Sequence, residues 1–367
     1  MPEPWLHVQS HTLVNRRVLV AALDWGLGHA TRCIPVIRSL LELDCTVIVA
    51  GSGPSLEMLI EEFPSLHAIE LPPYDPQYAR SSALVWKLAS QLPGFINTVR
   101  LEHQVTEEVV RDHHINFIIS DNRYGCHSGK AKSIFMGHQI NLRLTSGTRW
   151  TQSAVNRLHR WFLGKFDTCW VPDWKGEHSL AGDLSQSQHF NVLYLGPVSR
   201  FSKLPEVPRI YDLAFILSGP EPQRTLLEER VVALAGDRGL RVCLVRGVRD
   251  GSLEPGSPDL VVVDHADSAT LSEIIAKAEV LVARSGYSTI MDLAHTGGKA
   301  VFVPTPGQPE QEYLAQRLEQ KGIAGYVDQE ELDLNMVMEK SIRYKGFEGM
   351  ANGHGKLTNL LGEALKI

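Results

Sequence analysis

The chain has 367 residues, more than one compact core usually holds, so two domains are expected. Apolar residues make up 43% and charged residues 21%, the balance of a folded protein rather than a disordered one. A formal net charge of -6 argues against a globally basic nucleic-acid binder, and no run approaches the ~18 apolar residues of a membrane span.

The first 16 residues hold no apolar run of the kind a secretory signal needs. Five cysteines, Cys33, Cys45, Cys126, Cys169 and Cys243, stand singly, with no CxxC pair. All but Cys126 sit in or beside apolar runs and read as buried free thiols. Together these features predict a cytoplasmic protein.

Arg17–Leu23 (RVLVAAL) reads as a buried strand and Ala30–Leu43 as the helix after it. Between them lies Asp24-Trp25-Gly26-Leu27-Gly28-His29. Its glycines allow a tight turn and close approach to a ligand, and the helix start offers free N–H groups. It lacks the third glycine of a dinucleotide fingerprint, and a plain strand-to-helix turn remains the alternative. His29 suits proton transfer near neutral pH, with a packing role as the alternative; Asp24 is a second candidate base. Arg32 is placed to meet phosphate or simply to be solvated.

Cys45–Ala50 is the next strand. Arg80–Asp112 is mostly helical, with a break expected near Pro93-Gly94. Ile115–Ser120 is a further strand, followed by Asp121-Asn122-Arg123. Asp121 at that strand end either pairs with His29, orients a hydroxyl, or only builds a turn. Lys132–Gly137 reads as another strand, and Gly137-His138-Gln139 adds polar groups at the same edge. Arg149-Trp150 and Arg157–Phe166 (RLHRWFLGKF) mix basic and aromatic residues, with Leu158, Trp161 and Phe162 on one helical face. This is either a core-facing helix with solvated basic flanks, the favoured reading, or a surface for an anionic membrane. Thr168–Val171 and Val192–Leu195 close the half.

Gly196–Pro208, with three prolines, reads as a linker. The pattern then restarts with strands at Asp212–Leu217, Leu240–Val245, Leu260–Val263, Val280–Ala283 and Ala300–Val303. Helices alternate with them at Pro222–Gly236, Ser268–Lys277, Tyr287–His295 and Glu310–Lys321. Two such α/β units predict two Rossmann-like domains with parallel sheets facing across a cleft. The strand before Arg284-Ser285-Gly286 feeds a helix opening Tyr287-Ser288-Thr289. Its N–H groups and hydroxyls suit a diphosphate, and Asp292 one turn on suits ribose hydroxyls. The loop Pro304–Gln311 leaves the next strand on the same edge.

RSGYSTIMDLAHTGGKAVFVPTPGQPEQEYLAQRLEQKGIA resembles, in order and spacing, the nucleotide-binding signature of family 28 glycosyltransferases of GT-B fold. The best-known member of that family is the UDP-GlcNAc transferase that completes lipid II of the cell envelope. The likeness is specific over residues 280–325 and looser elsewhere. It implies that Asp292 replaces the family's ribose-binding glutamate and that Arg284, Ser285, Gly286, Ser288 and Thr289 form the diphosphate turn. Gln311 matches a glutamine on the donor sugar, and Glu312 replaces its glutamine neighbour, a departure that bears on which sugar is accepted. Asp264–Asp267 falls where backbone recognises uracil, making Ala266 a base contact. Ser218 and Gly219 fall in a glycine turn, and Arg200 near the diphosphate.

GLGHATR (Gly26–Arg32) is similar to the family's acceptor-facing glycine loop, which puts Gly28 among the contacts to the nucleotide sugar. It also resembles GxGHxxR of a UDP-sugar hydrolase of pseudaminic acid synthesis.

The resemblance implies an acceptor domain over 1–198, a sugar-nucleotide domain over 199–347 and a helix over 348–367 returning to the first. The expected activity is transfer of a sugar from a UDP-sugar co-substrate to a hydroxyl of a glycan, lipid-linked sugar or small molecule. His29 is the general base, and Asp24 or Asp121 is the alternative. The runner-up readings are a UDP-sugar hydrolase and a non-catalytic binder. No cofactor and no metal are expected: there is no Asp-x-Asp or HExxH motif. A peripheral contact with the inner membrane face fits the second reading of Arg157–Phe166.

Overall fold

The computed structural model describes residues 16–74, 84–144, 149–187, 189–201, 207–235, 239–248, 251, 253–350 and 355–366. The first half runs β1 (Arg17–Ala22), α1 (Gly28–Glu42), β2 (Thr46–Gly51), α2 (Gly53–Glu62), β3 (His67–Glu70), α3 (Leu84–Asp112), β4 (Phe117–Asp121), β5 (Lys132–Met136), α4 (Arg149–Leu163), β6 (Thr168–Val171) and β7 (Val192–Tyr194). The second runs β8 (Tyr211–Ile216), α5 (Gln223–Leu234), β9 (Val242–Val245), β10 (Leu260–Val263), α6 (Ser268–Lys277), β11 (Ala278–Ala283), α7 (Tyr287–Thr296), β12 (Lys299–Phe302), α8 (Pro309–Gln320), β13 (Gly325–Tyr326) and α9 (Leu334–Arg343); α10 (Gly355–Leu365) follows.

Two sheets form, in the orders β3-β2-β1-β4-β5-β6-β7 and β10-β9-β8-β11-β12-β13. Every strand pair is parallel. Runs such as VLVAA in β1 and FIISD in β4 are buried throughout, because helices cover both faces of a parallel sheet. In each sheet the strand order reverses once, between β1 and β4 and between β8 and β11. The C-terminal strand ends at such a switch point leave a crevice where ligands bind. The loops at Asp24–His29, Asp121, Ser218-Gly219 and Arg284–Gly286 all leave those four strands.

The largest apolar cluster is shared by the halves. It joins Ala30, Ile34 and Ile37 of α1 to Tyr287, Met291 and Ala294 of α7, and it includes Val198 and Phe201. The start of Gly196–Pro208 is therefore packed rather than free; residues 202–206 lie outside the described ones. α10 lies on α1, where Thr358 Oγ1 donates to Glu42 Oε2 at 2.7 Å and meets Ser39 Oγ at 3.1 Å. Leu361 and Leu365 are buried there.

Three readings need correction. α3 passes through Pro93 without the expected break. One proline removes one N–H bond, and the packed distal half, with Val99, Val109 and Val110 buried, holds the helix in register. Cys126 is buried like the other four cysteines. In α4, Phe162 turns into the core while Leu158 and Trp161 face outward, so the three do not share a face. The sequence reading also passes over α2, β3, β13 and α9. β3 and β13 are too short to show a period, and β3 carries polar ends.

Candidate active site

His29 stands in the first turn of α1, directly above the end of β4. Its Nδ1 lies 2.8 Å from Asp121 Oδ1. Arg32, one turn on, grips both oxygens of Asp121. Asp121 and Arg32 are buried, and His29 is 16% exposed. Burial pushes the Asp121 carboxyl up, but the Arg32 guanidinium and His29 outweigh that and hold it below the usual carboxylate range. Burial, reinforced by Arg32, pushes the His29 imidazole below its usual value. At neutral pH His29 is thus neutral. Nδ1 also lies 2.6 Å from Arg32 Nη2; in the tautomer that donates Nδ1–H to Asp121, the Nε2 lone pair is the basic site.

This arrangement corrects the alternative bases. Asp121 lies beneath His29, already engaged by Arg32, and serves to orient it. Asp24 is a loop anchor: its Oδ2 accepts from Ser52 Oγ at 2.9 Å and from the Tyr74 backbone N–H at 3.0 Å. Arg32 meets Asp121, not solvent or phosphate.

Across the crevice, Gly286 caps α7 with no side-chain bond, so the first-turn N–H groups are uncovered by side chains. Ser288 and Thr289 flank that turn, half-buried. Gly28 packs against it so closely that a β-carbon there would come 2.6 Å from Ser288 Oγ. The histidine loop and the first turn of α7 therefore face each other.

The rest of the second half is arranged as follows. Ser285 is fully buried, and its hydroxyl donates to the Gln311 carbonyl at 2.8 Å. Gln311 Oε1 accepts from the Thr305 N–H at 2.8 Å, and Glu312 Oε1 from the Gly307 N–H at 2.9 Å. Both side chains thus brace the Pro304–Gln311 loop. Within it, the Thr305 hydroxyl is buried without a partner, and Gly219 lies beside it. Ser218 and Gly219 are exposed at the end of β8. Ala266 is half-buried in a loop fixed at both ends: Asp264 pairs with Arg246 at 2.6 Å, and Asp267 caps α6 through the Thr270 N–H.

One expectation is overturned. Arg284 does not face the diphosphate turn with its side chain. It is 1% exposed and donates to the carbonyls of Val303, Pro304 and Gln223 and to Gln329 Oε1. Burial pulls its guanidinium down to about 10. Its place after a buried strand, with no room for solvent, makes it a strut joining three loops. Arg200 lies beside α7, with its Nε 4.0 Å from Asp292 Oδ2 and its head over the Phe201 ring. Ser199 Oγ donates to Asp292 Oδ1 at 2.6 Å. Burial pushes the Asp292 carboxyl up to about 6, against the opposing pull of Arg200 and Ser199.

The sequence reading does not single out Glu310, Tyr287 or Ser199 as site residues. His138 Nε2 lies 2.8 Å from Glu310 Oε1 and its ring stacks on Tyr287 at 4.0 Å. The Gly137-His138-Gln139 cluster at a strand end was the available signal; an acid opening a helix gave none, being common there.

Residues 252–344 match the glycosyltransferase family 28 C-terminal domain. Over 332 residues the chain is 24% identical to the UDP-N-acetylglucosamine--N-acetylmuramyl-(pentapeptide) pyrophosphoryl-undecaprenol N-acetylglucosamine transferase of Yersinia pestis (strain Pestoides F), covering 86% of this chain and 85% of the relative. The protein of the same description from Serratia proteamaculans (strain 568) is 29% identical over 342 residues, 88% of each chain. Among solved structures, the spinosyn forosaminyltransferase SpnP superposes with a TM-score of 0.64 at 12% identity, over 96% of this chain and 100% of that one. MurG of Acinetobacter baumannii gives 0.55 at 12% identity, over 95% of this chain and 99% of that one. The structural likenesses carry the fold, and the matched domain and the relatives carry the activity: the chain is a glycosyltransferase of GT-B fold whose residues 252–344 are of the family 28 type, using a nucleotide-sugar donor.

Proposed function

We propose that the chain transfers a sugar from a UDP-sugar to a hydroxyl group of an acceptor seated against the N-terminal half, without a bound metal. The observation that carries this reading is the geometry of His29: Nδ1 is engaged by Asp121 and Arg32, and Nε2 is left over in a crevice whose other wall is the first turn of α7. His29 Nε2 takes the acceptor O–H proton as that oxygen bonds to the anomeric carbon. The bond from that carbon to the diphosphate oxygen breaks, and its electron pair leaves with the nucleoside diphosphate. The α7 N–H groups, with Ser288 and Thr289, meet the charge that develops there. The proton then passes from His29 to solvent.

UDP is favoured by the family resemblance and by the UDP-N-acetylglucosamine in the names of the relatives. One solved neighbour holds thymidine diphosphate instead, so both nucleotides belong in the test. In a thermal-shift screen UDP raises Tm more than dTDP, GDP or CDP. UDP release from UDP-sugars then depends on added acceptor extract and survives EDTA. Release equally fast without acceptor makes the chain a hydrolase. A larger shift with dTDP overturns the base assignment.

The α4 surface supports an acceptor presented at a membrane. Among the described residues no helix is long and apolar enough to cross one. α4 nevertheless exposes Trp150 (71%), Trp161 (58%) and Leu158, beside Arg157, with Lys165 lying over the Trp161 ring. Aromatic and cationic side chains presented together fit an anionic headgroup layer.

A further inference from the structure

We propose that Glu310 is a positioning residue for the base, gripping His138 across the crevice so that His29 is fully oriented only when the two halves close. This rests on the reading of His29 as base. Glu310 and Tyr287 belong to the donor half; His138, Gln139 and Pro172 belong to the acceptor half. His138 is 4% exposed and held on three sides. Its Nε2 lies 2.8 Å from Glu310 Oε1, its ring is stacked on Tyr287 with planes 14° apart, and its Nδ1 lies 3.4 Å from Arg32 Nη1. Gln139 Nε2 donates to the second Glu310 oxygen, and the Tyr287 hydroxyl to the Pro172 carbonyl at 3.0 Å.

The proton positions follow. Arg32 has only donors, so Nδ1 of His138 must accept, which places the ring proton on Nε2, facing Glu310. The other edge of the Arg32 guanidinium holds Asp121, and His29 Nδ1 lies against both, 2.8 Å from Asp121 Oδ1 and 2.6 Å from Arg32 Nη2. One hydrogen-bonded chain therefore runs Glu310, His138, Arg32, Asp121, His29. Its first member rides on α8 and its last on α1. When the donor half swings away, His138 loses both Glu310 and Tyr287, and Arg32 is left with one anchored edge. The groups facing His29 are Arg32 on its own helix, Asp121 from β4, His138 from the loop after β5, and Glu310 from α8. Glu310 is the one whose charge comes from the opposite half.

The test uses full-length Glu310→Gln, which keeps an acceptor oxygen for His138 but removes the charge, and Glu310→Asp. Imidazole ¹⁵N NMR of the free protein reads the chain without any substrate. Removing the carboxylate lowers the His29 titration midpoint, and Glu310→Asp restores most of it. An unmoved midpoint overturns the proposal. In turnover of UDP-N-acetylglucosamine, kcat falls about 10-fold or more for Glu310→Gln, since small misplacement of a base is costly, while donor KM changes little. The acid limb of the rate profile moves down with the midpoint. A rise in KM alone makes Glu310 a donor contact and also overturns the proposal. If the wild-type chain turns over no UDP-sugar, the functional reading fails by itself, and the NMR result still decides the positioning role.

Discussion

Gly28 and Ser288 are pressed together across the crevice, leaving 2.6 Å between Ser288 Oγ and the place a β-carbon on Gly28 would occupy. Glycine is needed here for proximity, since alanine is a better helix former at the start of α1. Gly28→Ala should therefore keep Tm but weaken UDP binding about 10-fold by calorimetry, because Ser288 must turn away or the halves must part. Adding Ser288→Gly should recover part of that loss, a coupling that a double-mutant cycle measures.

His29→Ala should lower kcat by about 10²- to 10⁴-fold with UDP binding retained. The reactive form of His29 is the neutral one, and its folded value lies below the usual 6.5. The rate should hold through neutral pH and fall only as pH drops below that usual value. A rate that instead falls on raising pH from 6 to 8 contradicts the base role. Asp121→Asn should cost stability as well, about 3 kcal/mol, because it leaves Arg32 buried without its counter-charge.

Asp292 carries a carboxyl raised to about 6 by burial. A raised folded value means the fold prefers the protonated form. That stabilisation is complete below the unfolded value near 4 and is lost as pH rises through about 6. Asp292→Asn should therefore be more stable than wild type at pH 8 by up to about 3 kcal/mol, with the gap closing toward pH 4. Its nucleotide binding should fall, if the carboxylate holds ribose. Urea titrations at the two pH values check the first half, and calorimetry with UDP the second.

Arg284→Met should destabilise the second half by about 2–4 kcal/mol, since one guanidinium serves three carbonyls and Gln329. Arg284→Lys should not recover it, as an ammonium cannot span the three loops. Denaturation midpoints measured without nucleotide separate this loss from a binding defect.

Trp150→Ser with Trp161→Ser should reduce flotation with anionic vesicles at low salt while leaving UDP binding intact. Equal flotation of wild type and variant would remove the membrane surface.

The parallel halves were legible because buried strands such as RVLVAA and FIISD carry continuous apolar runs between helical stretches. His29 and the α7 turn were legible because a strand-to-helix turn at a switch point leaves chemistry exposed in the sequence. The side-chain assignment for Arg284 was not. A motif fixes a residue's place along the chain, but whether a guanidinium turns toward the ligand or into the core depends on carbonyls from loops distant in sequence. Glu310 was hidden for the same reason: its partner His138 is 172 positions away, on the other half.

α10 has a consequence for the order of synthesis. Thr358 meets Ser39 across 319 positions, so the outer face of α1 is sealed by a helix made after the entire donor half. While the chain grows, the N-terminal half leaves the ribosome with that apolar face bare, and it reaches its final packing only once residues 355–365 emerge.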